Sequence, residues 1–242
     1  MSISLSLVIP AHNEEKRLPR TLEQVFAFLS TQSYPAEVLV IENGSEDRTL
    51  ELAQQAAESH PQLRVIRLEG RGKGLAVQKG MLEAAGEYRF FCDADLSMPI
   101  EEIDKFLPPA LDGFDLAIAS REAPGAVRYG EPAYRHWGGR AINLAIRMLI
   151  LPGMQDTQCG FKCFRAEAAE RLFRLQTLPG LSVDIELLFL ARRAGLKILE
   201  VPIHWYYDPD SKVKAVRDGL DMIADILRIR LNALRGRYDP RA

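Results

Sequence analysis

The chain has 242 residues, 47% of them hydrophobic and 26% charged, with a formal net charge of −2; this is room for one large α/β domain or two small ones. That charge balance gives no basis for bulk nucleic-acid binding, and three cysteines are too few, and odd in number, for a disulfide framework. No apolar run reaches the ~20 residues of a membrane span, and Met1 leads straight into an alternating strand pattern, so the expectation is a cytoplasmic chain that at most rests on a membrane surface.

In chain order, the first half alternates strand and helix. Strands are predicted at Leu5–Ile9, Glu37–Ile41, Leu63–Leu68, Tyr88–Cys92 and Leu116–Ala119. Between them lie helical faces: Leu18, Leu22, Val25, Phe26 and Leu29; then Leu50, Ala53 and Ala57; then Leu75, Met81 and Leu82. This βαβ order predicts a mostly parallel sheet flanked by helices. Arg140–Leu151 reads as a helix stopped by Pro152-Gly153, Cys159–Phe164 as a short strand, and Glu167–Leu175 and Asp184–Ala194 as helices. Ile198–Trp205 reads as a strand that Pro202 confines to an edge. Val213, Val216, Leu220, Ile223, Leu227, Leu231 and Leu234 then trace one stripe of a long C-terminal amphipathic helix, with Arg228, Arg230, Arg235, Arg237 and Arg241 clustered at its end. That stripe can pack on its own domain, on a second copy, or on an anionic membrane surface. No linker interrupts the chain, so residues 1–242 are expected to form one domain: a nucleotide-binding half (1–122), an acceptor half (123–210) and the C-terminal helix (211–242).

The loops after the strands carry the chemistry. In an open α/β sheet ligands bind beyond the carboxyl ends of the strands, so Pro10–Glu15, Glu42–Asp47, Asp93–Pro99 and Arg121–Gly125 are expected to converge. Asp93-Ala94-Asp95 is the most telling. Two carboxylates one residue apart repel unless a cation neutralises them, and a hard divalent ion that does so also holds a diphosphate. Gly70-Arg71-Gly72-Lys73-Gly74 is a glycine-rich basic turn before a helix, a geometry that offers backbone N–H groups and a lysine to phosphate, without P-loop spacing. In Glu42-Asn43-Gly44-Ser45-Glu46-Asp47, Gly44 permits a tight turn, Ser45 or Asp47 can cap the next helix, and an acidic residue after a strand can bind a nucleoside. Cys159 and Cys163 lack a second pair at zinc spacing and are expected in the core; His60, His136 and His204 are expected to be structural or exposed.

Taken together, Pro10-Ala11-His12-Asn13-Glu14-Glu15, Glu42-Asn43-Gly44-Ser45, Gly72-Lys73-Gly74, Asp93-Ala94-Asp95-Leu96 and Ser120-Arg121 resemble, in order and spacing, the family 2 glycosyltransferases of GT-A (Rossmann-like) fold. Downstream, Asp156-Thr157-Gln158-Cys159-Gly160-Phe161-Lys162, Val183-Asp184-Ile185-Glu186-Leu187-Leu188, Glu200-Val201-Pro202-Ile203 and Ser211-Lys212 are similar to the polyprenyl- and dolichyl-phosphate sugar transferases, and closer to the glucosyl than to the mannosyl branch. The departures are His12 where Tyr is common, Glu42 for the usual Asp, Ser97 where the mannosyl branch has Gln, and no arginine in Tyr206–Asp210. An N-terminal anchor like that of eukaryotic glucosyl enzymes is not expected here.

The resemblance implies an inverting, metal-dependent transfer of a hexose from a nucleotide sugar, UDP-glucose, to a polyprenyl or dolichyl phosphate. It implies Asp95 as principal ligand of Mg²⁺ or Mn²⁺, with Asp93 on the metal or ribose. Pro10, Ala11, Glu14, Glu42 and Ala94 would line the nucleotide-sugar pocket, Lys73 and Arg121 would face the diphosphate, and the Ser211-Lys212 loop would close over it. Arg135 and Arg140 are candidates for the acceptor phosphate, and Asp156 and Asp184 for contact with the acceptor. A lipid phosphate brings its own anionic oxygen; a hydroxyl acceptor would need a base from Asp156, Asp184 or Glu186. Three alternatives remain open at this stage: a glycosyltransferase with a glycan, protein or small-molecule acceptor, a non-catalytic nucleotide-sugar-binding module, and a nucleotidyltransferase, whose G-x-G-x-R is absent.

Overall fold

The computed structural model describes residues 3–209 and 215–239. Its elements are β1 (Leu5–Ala11), α1 (Leu18–Ser30), β2 (Ala36–Glu42), α2 (Thr49–Ser59), β3 (Leu63–Arg67), α3 (Lys73–Glu83) and β4 (Tyr88–Cys92), then a 3-10 helix (Ile100–Phe106) and β5 (Leu116–Ser120). They are followed by β6 (Val127–Tyr129), α4 (Ala133–Leu149), β7 (Phe161–Arg165), α5 (Ala166–Leu175), α6 (Val183–Arg193), β8 (Ile198–Pro202), β9 (His204–Tyr206) and α7 (Ala215–Leu234).

Seven strands form one sheet in the order β3-β2-β1-β4-β7-β5-β8. All neighbours are parallel except β7, which runs antiparallel to both β4 and β5. Strands β1, β2, β4 and β5 are continuous apolar runs because both faces are covered: Leu7, Val8 and Ile9 are all fully buried. One core lies under α1, α2 and the 3-10 helix, the other under α3, α5, α6 and α7. β1 pairs with β2 on one side and β4 on the other, so strand order reverses between β1 and β4. A crevice at the carboxyl ends of those two strands is the place such sheets reserve for ligands.

Three elements differ from expectation. Helix α4 starts at Ala133, not Arg140: the carbonyl of Pro132 at the N-cap accepts from Arg135 N and His136 N, and packing against α7 offsets the low propensity of Gly138-Gly139. The strand around Pro202 is at the sheet edge as expected, but it breaks there, and β9 leaves to pair with β6 in a separate two-stranded ribbon. In α7 the buried face is Met222, Ile226 and Ile229, whereas Ile223, Leu227, Leu231 and Leu234 of the anticipated stripe are 47–84% exposed. Val213 lies outside the described residues.

Candidate active site

The loops after β1 and β2 are zipped together by the residues that make their sequences distinctive. Asn13, in the left-handed region at φ 54°, donates its N–H to Ser45 Oγ (3.0 Å) and accepts from Glu46 N with its side chain (2.8 Å). Glu14 N donates to Thr49 Oγ1 (2.7 Å), and Asp47 accepts from the Thr49 N–H (3.0 Å) in the first turn of α2. Pro10 is half-buried and Ala11 fully buried at the end of β1, where the Ala11 carbonyl accepts from Asn43 N (3.1 Å). Glu42 is 1% exposed and accepts from Ser45 N (2.5 Å), with Arg67 3.8 Å from its other oxygen. Glu14 receives two hydrogen bonds from Arg17 (2.6 and 2.9 Å), which also reaches Asp208 (2.8 Å). Both acidic residues expected beside the nucleoside are thus engaged in holding these loops.

The turn after β4 is fixed from several sides. Thr21 Oγ1 donates to the Ala94 carbonyl (2.6 Å), Asp93 N to the Gly160 carbonyl (3.2 Å), and Ser97 N to Asp95 Oδ1 (3.0 Å). Leu96 takes a left-handed φ of 45°, a costly conformation for leucine that the surrounding bonds impose. The basic turn before α3, the loop that the crevice rule left aside, reaches this place too. Lys73 Nζ lies 2.6 Å from Asp93 Oδ1 and 3.9 Å from Asp184 Oδ2. Burial favours the neutral amine, but Asp93 and Asp184 outweigh it and hold Lys73 charged, well above its ordinary range. Asp184, in the first turn of α6, is paired in turn with Lys162, which is fully buried on β7. Burial pushes the Asp93 carboxyl above its usual range; Lys73 opposes the shift, while Asp95 and Asp184 add to it. An arriving cation relieves that excess of negative charge.

Lys73, Asp93, Asp95, Gly160 and Asp184 line a cavity of about 360 Å³. Its lining also holds Arg121, whose Nε and Nη2 grip Asp156 (2.7 and 3.0 Å) while its backbone N–H makes a third bond to the same carboxylate (3.0 Å). Burial alone would raise the Asp156 carboxyl, but the Arg121 charge and these bonds hold it well below the carboxylate range. Trp205 stands with Arg121 and Arg128 both 5.7 Å from its ring centre, and Arg128 is neutralised by Glu122 (2.5 Å) and Glu131 (2.7 Å). Arg135 lies over the Tyr207 ring (5.3 Å). Apolar side chains complete the lining: Tyr134, Ile142, Leu181 and Met222, with Gly138 and Gly139 facing open space.

Of the residues singled out in the sequence, the cavity gathers Lys73, Asp93, Asp95, Arg121, Arg135, Asp156 and Asp184. Pro10, Ala11, Glu14, Glu42 and Ala94 stand outside its lining, at the ends of β1 and β2 and on the loops that follow β1 and β4; so does Arg140, half-exposed on α4 and 3.6 Å from Glu122. Lys212 lies outside the described residues. Glu186 is not on a solvated face: it is fully buried and accepts from Thr177 N and Oγ1, Leu178 N and Tyr238 Oη. Cys92, Cys159 and Cys163 are free and buried, the Cys159 thiol pushed up to about 12 by burial against the pull of Arg121. Sequence reasoning missed Arg17 and Arg128, and the roles of Trp205, Gly160 and Lys162. A lysine inside the apolar strand Phe161–Arg165 is the signal that flags Lys162.

Among the described residues no three carboxylate, histidine or cysteine side chains come together as a self-sufficient metal cage. The Asp93/Asp95 pair instead fits an ion held by one or two carboxylates and completed by substrate phosphates, the usual mode for Mg²⁺. Asp93 and Asp95 would hold it.

A strand-order switch beside the paired carboxylates Asp93 and Asp95, with Lys73 between Asp93 and Asp184, is an arrangement suited to a metal-bound diphosphate. The sequence model described as glycosyl transferase family 2 matches residues 6–173, and the chain belongs to that family. It is 31% identical to the dolichyl-phosphate beta-glucosyltransferase of Dictyostelium discoideum over 97% of this chain and 76% of that protein. It is also 31% identical to the Homo sapiens dolichyl-phosphate beta-glucosyltransferase, over 97% of this chain and 77% of that protein. Among solved structures it shares its fold with glucosyl-3-phosphoglycerate synthase from Mycobacterium tuberculosis in complex with Mn²⁺, UDP-glucose and phosphoglyceric acid, with TM-score 0.67 at 20% identity over 94% of this chain and 79% of that one. The architecture is GT-A, and the chain is a hexosyltransferase of the dolichyl-phosphate glucosyltransferase type.

Proposed function

We propose that this chain moves glucose from UDP-glucose to the phosphate of a polyprenyl or dolichyl lipid. The observation that carries the acceptor class is the state of the carboxylates. Asp156 is locked to Arg121, Asp184 to Lys162 and Lys73, and Glu186 is sealed among four donors. None of the three is set to deprotonate a hydroxyl, whereas a phosphate oxygen is already anionic at neutral pH and needs no base. The names of the relatives support the same acceptor.

The donor diphosphate belongs at the Lys73, Asp93 and Asp95 end. When bound there, Mg²⁺ or Mn²⁺ supplies Lewis-acid neutralisation of the leaving group. The Lys73 amine, kept charged at the head of α3, stabilises the negative charge that grows on the departing diphosphate. Arg121, its Nε and Nη2 committed to Asp156, presents a fixed guanidinium edge rather than a mobile clamp. Arg135 beside Tyr207 holds the acceptor phosphate, whose oxygen attacks the anomeric carbon with inversion while UDP leaves. The lipid chain exits across Gly138-Gly139 toward Tyr134 and Ile142.

No described helix is long and apolar enough to cross a membrane. Trp137, Leu144 and Met148 on α4 and Ile223, Leu227, Leu231 and Leu234 on α7 are nevertheless exposed. With Arg147, Arg228, Arg235 and Arg237 on and beside the same two helices, they suit an anionic bilayer surface at the cytoplasmic face, where three free cysteines stay reduced. An acceptor panel tests the function: UDP release with dolichyl or polyprenyl phosphate, and none with hydroxyl acceptors, is expected. Turnover confined to a hydroxyl or water-soluble acceptor would overturn the lipid reading.

A further inference from the structure

Lys162 is fully buried in the middle of the sheet, in a strand whose neighbours Phe161, Cys163 and Phe164 are equally buried. Its amine donates to the Cys159 carbonyl and to Asp184 Oδ1, and lies 5.5 Å from the centre of the Phe91 ring. Packing alone gives no reason for a charge here: an apolar side chain of similar length fills such space without the desolvation cost of a buried ammonium. The charge makes sense through what Asp184 does next. Its other oxygen faces Lys73 Nζ at 3.9 Å, while Lys73 makes its short contact, 2.6 Å, to Asp93. Four groups thus alternate in sign from the sheet interior to the cavity: Lys162, Asp184, Lys73, Asp93.

We propose that Lys162 is a positioning residue for the donor site, acting through Asp184 to keep the Lys73 amine on Asp93 and at the seat of the diphosphate. With Lys162 in place, Asp184 is largely neutralised and competes weakly for Lys73. Without it the whole Asp184 charge, 4% exposed, faces Lys73 as its one remaining cation partner among the described residues, and the amine is drawn toward α6 and away from the donor. The main chain at Gly160 leaves the room for this: a Cβ there would lie 2.8 Å from Lys73 Nζ.

The inference rests on the donor reading above, and the test separates the two. UDP binding in the presence of Mn²⁺ is measured by calorimetry for the wild type, Lys162→Met, Lys73→Met and the double variant. Lys162→Met is expected to weaken UDP binding about tenfold, the worth of one misplaced charge-assisted hydrogen bond. In the Lys73→Met background it is expected to cost nothing further. Equal losses in both backgrounds, or no loss in the first, would overturn the positioning role and leave the donor reading standing. A wild type that fails to bind UDP would overturn both. Should Lys162→Met fold poorly, Lys162→Gln carries the same cycle with the same expected loss, because the amide can still donate to the Cys159 carbonyl and Asp184 but no longer neutralises the Asp184 charge. A crystal structure of Lys162→Met is expected to show the Lys73 amine turned to Asp184 and out of hydrogen-bond reach of Asp93; an amine still seated on Asp93 would also overturn the proposal.

Discussion

Gly160→Ala should disable the site while leaving the fold almost intact. The φ of Gly160 lies outside the left-handed region, so alanine brings no backbone strain. The added methyl would instead sit 2.0 Å from Asp93 Oδ2, 2.6 Å from Asp93 Cγ and 2.8 Å from Lys73 Nζ, against 3.4 Å or more for ordinary contact. The Asp93 carboxylate is 33% exposed and can retreat into the cavity, but only by moving more than about 1 Å and leaving Lys73. A displacement of about 1 Å in a positioned group costs on the order of 10²-fold in rate. The overpacking itself costs about 1–3 kcal/mol, a fall in Tm of roughly 2–4 °C per kcal/mol for a chain of this size. The assay is kcat/KM for glucosyl transfer together with a thermal melt, with Gly180→Ala as control, since a Cβ there meets nothing within 4 Å. The expected result is a loss near a hundredfold with Tm lowered by a few degrees and the control unchanged. Gly160→Ala activity within threefold of wild type would refute the close seating of Asp93 and Lys73.

Asp156→Asn breaks a buried charged pair and should destabilise the protein by about 3–5 kcal/mol in a denaturant titration at pH 7. The same pair gives a pH signature: the native Asp156 carboxyl is held below its unfolded value of about 3.9, so its contribution is complete well above that pH and is lost as pH falls. The stability gap between wild type and Asp156→Asn is therefore expected to narrow from pH 5 toward pH 3. Gly139→Leu fills open space in the cavity and should raise the KM for a polyprenyl phosphate at least tenfold, roughly the effect of obstructing one well-packed contact, while UDP binding is kept. Trp137→Ser with Leu227→Ser should weaken sedimentation with anionic vesicles, each lost apolar side chain being worth about 1.5–3 kcal/mol when buried in lipid; unchanged sedimentation would remove the membrane-surface role and turn attention to a second copy of the chain. Chelation of divalent ions should abolish UDP binding, and added Mn²⁺ or Mg²⁺ should restore it.

Much of this architecture was legible in the residue pattern because a sheet buried on both faces writes itself as short apolar runs separated by amphipathic helices. Where chemistry-bearing residues directly follow such a run, as Asp93 and Asp95 follow Tyr88–Cys92, the crevice rule places them without further information. Strand direction is not encoded in that way. Phe161–Arg165 reads as any buried strand, yet it enters antiparallel between β4 and β5, and only that insertion brings Gly160 against Asp93 and Lys162 under Asp184. Pairings across long separations were equally hidden: Arg121 and Asp156 are 35 residues apart and meet because β5 and the segment before β7 share one end of the sheet. In α7 the apolar period was read correctly as helical, but two faces were apolar enough to pack. The structure buries Met222, Ile226 and Ile229 and leaves Ile223, Leu227 and Leu231 to solvent. The start of α4 is hidden by Gly138-Gly139, whose poor propensity gives no sign of the contacts α4 makes with α7.

The most direct test of the account is the transfer of labelled glucose from UDP-glucose into the organic phase by purified protein with Mn²⁺ and a short polyprenyl phosphate, compared with Asp95→Asn. Lipid-linked label that requires the polyprenyl phosphate and disappears in Asp95→Asn is the predicted result. Label that stays in water, or transfer that survives Asp95→Asn undiminished, would contradict it.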